Sequence, residues 1–219
     1  MTTIVLATRN AHKVAEVRRI LGGDVRLISQ LDFPDAPAMA EDAATFAGNA
    51  SKKAEGFAAW LAAHPQAASL DRPFFVLADD SGLEVDALGG APGVHSARFA
   101  ADDAQGTANS SDAANNARLL QLLAGVPPER RTARFRCVLA LAARDKVTLL
   151  FEGACEGRIS LSPGGAGGFG YDPLFVPEGY SQSFAELGEE VKNKISHRAR
   201  ALAHLRRFLE GVSNLPTHQ

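Results

Sequence analysis

The chain has 219 residues, 46% of them hydrophobic, which is enough for one sizeable core or two closely joined lobes and too apolar for a disordered polymer. With 23 Lys and Arg against 25 Asp and Glu the formal net charge is -2, which excludes an overall positive field for gripping a nucleic-acid backbone. Two cysteines, Cys137 and Cys155, have neither redox-motif nor zinc spacing and read as core thiols of a reducing compartment.

The N-terminus, MTTIVLATRN, has no basic stretch ahead of a long apolar run, and no segment approaches ~20 uninterrupted apolar residues. The expectation is a cytoplasmic protein with no membrane partner and no nucleic-acid partner. Ile4 to Ala7 reads as a short buried strand, followed by TRNAHK and a helix with Val14, Val17 and Leu21 on one face, ended by Gly22-Gly23. A second strand covers Val25 to Ser29. In EDAATFAGNASKKAEGFAAWLAAHP, Phe46, Ala50, Ala54, Phe57 and Leu61 recur at helical spacing, with Pro65 beyond the end.

Phe74 to Ala78 is a continuous apolar strand that stops at Asp79-Asp80. A Ser81-Gly82 turn is expected to lead into a second strand, where Leu83, Val85 and Ala87 alternate with Glu84 and Asp86 before Gly89-Gly90. SSDAANNARLLQLLAG predicts a helix capped by a Ser or Asp and closed near Gly125. Ala133, Phe135, Cys137, Leu139 and Leu141 form a period-two stripe, and Val147 to Phe151 is expected to return antiparallel across an Arg144-Asp145-Lys146 turn. A glycine-rich stretch, GGAGGFGYDP, precedes a last helix carrying Ile195, Leu202, Leu205 and Leu209, and the final SNLPTHQ reads as frayed. Strands and helices interleave without internal repeats or a linker, so the fold class is α/β with one mixed sheet.

Several stretches could carry chemistry. Strand, TRNAHK, helix is a phosphate-binding geometry in principle, because amides at a helix start and Lys13 favour an anion, although the P-loop spacing is absent. Capping by Thr8 or Asn10 explains the same residues. Glu41-Asp42 stands ahead of the second helix, where acids ordinarily cap, yet with Asp79-Asp80 it offers carboxylates of the kind that hold Mg²⁺. Strand alternation sends Asp79 and Asp80 to opposite faces, so one of them, Asp80, is the better candidate and Asp79 is left with a supporting role. In the glycine-rich loop, Phe169 and Tyr171 could stack on a flat ring or tuck into the core. Lys192, Lys194, His197 and Arg198 cluster at the expected N-terminal end of the last helix, where positive charge opposes the dipole, which points to an anionic ligand.

Taken in order, ATRNAHK, EDAATFAGNA, LADDSGLEVDALGGAPG, GGFGYDPLF and KNKISHRARA resemble the Ham1/RdgB family of inosine triphosphate pyrophosphatase-like enzymes, over nearly the whole chain. The resemblance implies one domain over residues 1–219, with a central mixed sheet, flanking helices and two lobes around a nucleotide-binding cleft, assembled as a homodimer. It implies Mg²⁺-dependent hydrolysis of dITP, ITP and XTP to the monophosphate and pyrophosphate, removing deaminated purine nucleotides from the pool. By residue, it implies that Thr8, Arg9, Asn10, Ala11, His12 and Lys13 bind the triphosphate. Glu41 and Asp80 would hold Mg²⁺, with Asp80 also accepting the proton of the attacking water. Ser81, Phe169, Gly170, Tyr171, Asp172, Lys192, His197 and Arg198 would bind substrate, the last two as donors to the 6-oxo group. Arg9 stands where the family usually has Gly, Gly48 where it has Glu, and Val191 where it has an acid. The competing readings are a Maf-like nucleotide pyrophosphatase, against which the SHR helix and GGFGYD loop argue, and a nucleotide sensor without turnover.

Overall fold

Ile4, Val5 and Leu6 are fully buried in β1 (Thr2–Leu6), which lies between β2 (Val25–Ser29) and β3 (Phe74–Val85). Both neighbours run parallel to it, with Ile4 opposite Leu27 and Phe75. Parallel strands covered on both faces read as unbroken apolar runs, and residues 4–6 show no alternation for that reason. The computed structural model describes residues 2–65, 70, 74–101, 109–143 and 147–213.

The sheet has six strands in the order β2-β1-β3-β4-β5-β6, completed by β4 (Thr132–Ala142), β5 (Leu149–Ile159) and β6 (Phe175–Pro177). Strand β6 is antiparallel to β5, so the sheet is mixed. The helices flanking it are α1 (Ala11–Leu21), α2 (Phe46–Ala63), α3 (Asp112–Leu122), α4 (Phe184–Ile195) and α5 (His197–Ser213). Among the described residues no helix is long and apolar enough to cross a membrane.

The chain divides into two compact units, one of Met1–Asp80, Val138–Gly153 and Arg198–Gln219, the other of Ser81–Cys137 and Ala154–His197. In the first, α1 buries Val14, Val17 and Leu21, and α2 buries Phe46, Ala50, Ala54, Phe57 and Leu61, the faces expected from their spacing. Side-chain caps set both helix starts: Asn10 accepts the Lys13 N–H at 3.1 Å, and Thr45 accepts the Gly48 N–H at 3.1 Å. In the second unit, Leu83, Val85, Leu119, Phe135, Ile159, Phe175 and Phe184 are buried in one core, with the Phe135 and Phe175 rings 4.6 Å apart.

Four expectations change. Strand β3 runs twelve residues without a turn at Ser81-Gly82, because Asp79 and Asp80 are buried within it and held by cations rather than by solvent. Strand β4 alternates only at its start and is buried continuously from Cys137 onward. Strand β5 extends to Ile159, well past Phe151. Gly153 and Gly157 mask its pattern, and Gly157 is required there because a Cβ would lie 2.4 Å from the Val176 carbonyl oxygen across the β5–β6 pair. Finally, the expected last helix is two: Ser196, in extended backbone (φ -66, ψ 162), separates α4 from α5. Lys192 and Lys194 therefore sit in the last turn of α4, where positive charge complements the dipole, and the argument from misplaced charge falls for both. The Arg144-Asp145-Lys146 turn and the tail from residue 214 lie outside the described residues.

Candidate active site

In the first unit, charged side chains from α1, α2, α5 and the loop before α2 meet at the middle of β3. Asp79, 1% exposed, accepts from Lys13 Nζ at 2.6 Å and from Arg198 Nε at 2.8 Å. Arg198, equally buried, also donates through Nη1 to Glu16 on α1. The neighbouring Asp80 accepts from Lys53 Nζ at 2.8 Å and from Asn49 Nδ2 at 3.2 Å, both on α2. Lys53 Nζ reaches Glu41 Oε1 at 2.8 Å and the Asp79 carbonyl at 2.9 Å as well. Two adjacent acids can end an apolar run because each is supplied with a cation as it leaves water.

Their protonation differs accordingly. Burial would raise Asp79, yet the Arg198 guanidinium and then the Lys13 ammonium hold it well below the ordinary carboxylate range. For Asp80 burial, helped by the nearby Glu41 carboxylate, prevails over the Lys53 ammonium and the weaker pull of Lys13 and pushes the carboxyl up. Burial would lower Lys53, but Asp80 and Glu41 outweigh it and hold the ammonium above its usual value. The asymmetry has a simple cause: Lys53 faces two carboxylates, whereas Asp80 shares one ammonium with Glu41 and is repelled by it.

Glu41 and Asp80 are the residues that could hold a hard divalent cation. Glu41 Oε1 and Asp80 Oδ1 each lie 2.8 Å from the same ammonium, so they converge on one cationic position. Among the described residues no group of three or more His, Cys, Asp or Glu is gathered. Mg²⁺ uses one or two carboxylates, keeping waters and phosphate oxygens for its other positions, so two suffice.

In the second unit the glycine-rich loop is pinned. Asp172, 1% exposed, accepts from Lys192 Nζ at 2.5 Å and from the Phe169 N–H at 2.9 Å. The Lys192 ammonium stands 4.4 Å above the half-buried Phe169 ring. At Gly168 (φ +75) a Cβ would lie 2.1 Å from Asp172 Oδ2, so only glycine passes this carboxylate. Tyr171 is 3% exposed and donates its hydroxyl to the Ser96 carbonyl at 2.9 Å, and burial pushes the phenol above its ordinary value. The buried His197 ring stacks on Phe135 at 4.7 Å.

Of the residues singled out in the sequence, Lys13, Glu41, Asp80 and Arg198 gather in the first unit and Phe169, Asp172 and Lys192 in the second. Arg9, Asn10, Ala11 and His12 are exposed at the start of α1, and Arg9 Nη2 donates to the Ala36 carbonyl, bracing the loop that follows β2. Thr8 Oγ1 accepts the Asn10 N–H at 3.2 Å. Ser81 is half-buried within β3, and Gly170 follows Phe169 in left-handed backbone (φ 62). Asp79 is no bystander, since it grips two of the singled-out cations. Glu41 caps no helix: Thr45 does so, and Glu41 is left for Lys53.

Glu16, Asn49 and Lys53 escaped the sequence reading. A signal for two of them was present: residues 49 and 53 fall inside the 46, 50, 54, 57 stripe, and a polar residue in a buried stripe needs a buried partner.

Fold and site together define the class: an α/β protein with a mixed sheet that concentrates paired carboxylates and amines on one central strand, chemistry suited to a phosphorylated, metal-bound ligand. The sequence profile of the Ham1 family matches residues 4–208, and the chain belongs to that family. It is 46% identical to a dITP/XTP pyrophosphatase of Shouchella clausii over 97% of this chain and 98% of that one. Against the dITP/XTP pyrophosphatase of Geobacillus kaustophilus the identity is 50%, over 94% and 93%. The solved structure of the Staphylococcus aureus Ham1 protein superposes with a TM-score of 0.78 at 36% identity, covering 96% of this chain and 99% of the other.

Proposed function

We propose that the protein is a nucleoside triphosphate pyrophosphohydrolase that cleaves dITP, ITP and XTP to the monophosphate and pyrophosphate, with Mg²⁺ as cofactor. The observation that carries this reading is the convergence of Glu41 and Asp80 on one cationic position beside Lys13, in a chain with full-length likeness to dITP/XTP pyrophosphatases.

In this reading the exposed start of α1 and Lys13 take the triphosphate, with Thr8, Arg9, Asn10, Ala11 and His12 lining it. Glu41 and Asp80 hold the ion, which supplies charge neutralisation at the phosphoryl oxygens when bound. Asp80 takes the proton of the attacking water at its carboxylate. A positioned carboxylate base contributes about 10²–10⁴-fold. Arg198, expected from the sequence as a donor to the 6-oxo group, has Nε and Nη1 engaged by Asp79 and Glu16 and in this reading acts instead through Asp79, which in turn orients Lys13.

Base recognition is assigned to Phe169, Gly170, Tyr171, Asp172 and Lys192, with Ser81 and His197 adjoining. A 6-oxopurine presents an acceptor at O6 and a donor at N1, the complement of an ammonium beside a carboxylate. Adenine presents the reverse and would leave both unpaired, at about 1–3 kcal/mol for each buried group. The same reading makes the enzyme a cytoplasmic homodimer without nucleic-acid or membrane partners, consistent with two buried cysteines outside any disulfide and a net charge of -2.

The test is hydrolysis of a nucleoside triphosphate panel with and without Mg²⁺, with products separated chromatographically. Pyrophosphate and monophosphate from dITP are expected. Release of diphosphate and orthophosphate, or equal turnover of ATP and dITP, overturns the reading.

A further inference from the structure

Helix α3 grips one glycine of the pinned loop by both of its backbone groups. Asp112, the first residue of α3, accepts the Gly170 N–H through Oδ2 at 2.6 Å. Asn116, one turn on, donates from Nδ2 to the Gly170 carbonyl at 2.9 Å. Residues four apart share a helix face, so the two side chains form a pincer around the backbone of one residue. Ordinary capping does not account for Asp112, because Ser111 is the cap of α3 and accepts the Ala114 N–H.

The pincer is itself anchored. Asn115, 3% exposed, accepts the Ala100 N–H at 2.8 Å and donates to the Ala97 carbonyl at 3.3 Å. It thereby seats α3 on the 3₁₀ turn Gly93–Arg98, whose Ser96 carbonyl receives the Tyr171 hydroxyl. The connections close into a ring: α3 to the turn, the turn to Tyr171, Tyr171 to Gly170, and Gly170 back to α3. Phe169 lies between this ring and Asp172, which holds its N–H. A left-handed glycine has many alternatives available to it, and binding both its N–H and its carbonyl removes them.

We propose that Asp112 and Asn116 are positioning residues for recognition of the purine base: they clamp the Gly170 backbone on both sides of its Cα and so fix the Phe169 ring under Lys192. This rests on the assignment of the loop to base binding made above. The clamp would be felt by a ligand that carries a base and not by one that is only phosphate.

The experiment compares wild type with Asp112→Ala, Asn116→Asp and the conservative Asp112→Asn, using dITP as substrate and inorganic tripolyphosphate as a baseless competitor. Losing one hydrogen bond to the loop is expected to raise KM for dITP about tenfold, with a smaller change in kcat and unaltered tripolyphosphate inhibition. Asp112→Asn keeps an acceptor and should recover most of the loss, whereas Asn116→Asp sets a carboxylate against the Gly170 carbonyl and should not. A wild-type KM in Asp112→Ala and Asn116→Asp overturns the proposal, and so does parallel weakening of tripolyphosphate inhibition. Amide hydrogen exchange over residues 168–171 is read in the same samples. If wild type fails to hydrolyse dITP, the functional reading has failed by itself, and exchange decides the clamp: faster exchange in Asp112→Ala supports it and unchanged exchange overturns it.

Discussion

Replacing Lys53 by Met removes one ammonium and keeps a side chain of comparable reach, so the charge can be tested apart from the packing. The ammonium touches Glu41 Oε1 at 2.8 Å, Asp80 Oδ1 at 2.8 Å and the Asp79 carbonyl at 2.9 Å. Glu41 has a side chain 42% exposed and can turn to water, so its share is small. Asp80 is 7% exposed and cannot. Removing one partner of a buried pair costs about 3–5 kcal/mol when the other stays charged. Asp80 has an escape, since burial already pushes its carboxyl up and loss of Lys53 pushes it further.

A carboxyl raised in the folded state contributes stability that is fully present below its unfolded pKa, near 4, and is lost as pH rises through the folded value. The variant should therefore lose about 3–5 kcal/mol at pH 8 and less as the pH falls towards 4, where protonation of Asp80 relieves the unpaired charge. Urea unfolding of both proteins at pH 8 and pH 5, without divalent cations, measures this difference. Adding Mg²⁺ at pH 8 should narrow the gap, because without the competing Lys53 ammonium the variant's Glu41 and Asp80 bind the ion more tightly than those of wild type, and mass action then stabilises the variant more. An equal loss at both pH values would refute the electrostatic account and assign the effect to the missing stem contacts.

Other outcomes follow from the same geometry. On the proposed mechanism, Asp80→Asn should lower kcat for dITP by at least about 100-fold while nucleotide still binds in equilibrium titration, since the proposed base is lost and the proposed phosphate-binding residues remain. Lys192→Met leaves the 1%-exposed Asp172 carboxylate without its cation and should cost about 3–5 kcal/mol in chemical denaturation. Wherever the variant is folded it should also narrow the preference for dITP over ATP. Gly168→Ala places a Cβ 2.1 Å from Asp172 Oδ2 in backbone of φ +75, so KM for dITP should rise even where the melting temperature falls only slightly.

What could be read from the sequence depended on whether the relevant forces were local. The buried faces of α1 and α2 follow from spacing alone, and so does the apolar run of β1. The end of α4 did not, because helical spacing continues through Ser196 and only its extended backbone breaks the run. Strand β5 was cut short because Gly153 and Gly157 carry no side chain to show a period, although Gly157 is there to let Val176 and Phe175 approach. Asp80, Glu41 and Lys13 could be singled out as residue types able to bind phosphate and metal. Their organisers could not, because Lys53 and Asn49 act through contacts 27 and 31 residues away and Glu16 through one 182 away.

The same distinction explains why β3 tolerates consecutive acids. Local propensity predicts a turn, since aspartate is a poor strand former and Ser-Gly follows. What overrides it is that every lone pair turned away from water must be answered, and Asp79 and Asp80 are answered by different helices: α1 and α5 for the first, α2 for the second. The resulting environments drive the two carboxyls in opposite directions: Asp79 goes down, gripped by two cations, and Asp80 goes up, because burial outweighs a Lys53 ammonium it shares with Glu41 and a weaker pull from Lys13. Divergence of this kind divides labour between neighbouring groups. An aspartate fixed in its charged form is a rigid anchor for Lys13 and Arg198, while one kept short of charge compensation retains an appetite for a second cation or a proton. Strand alternation alone would separate the two side chains, but the unequal supply of cations is what gives them different chemistry.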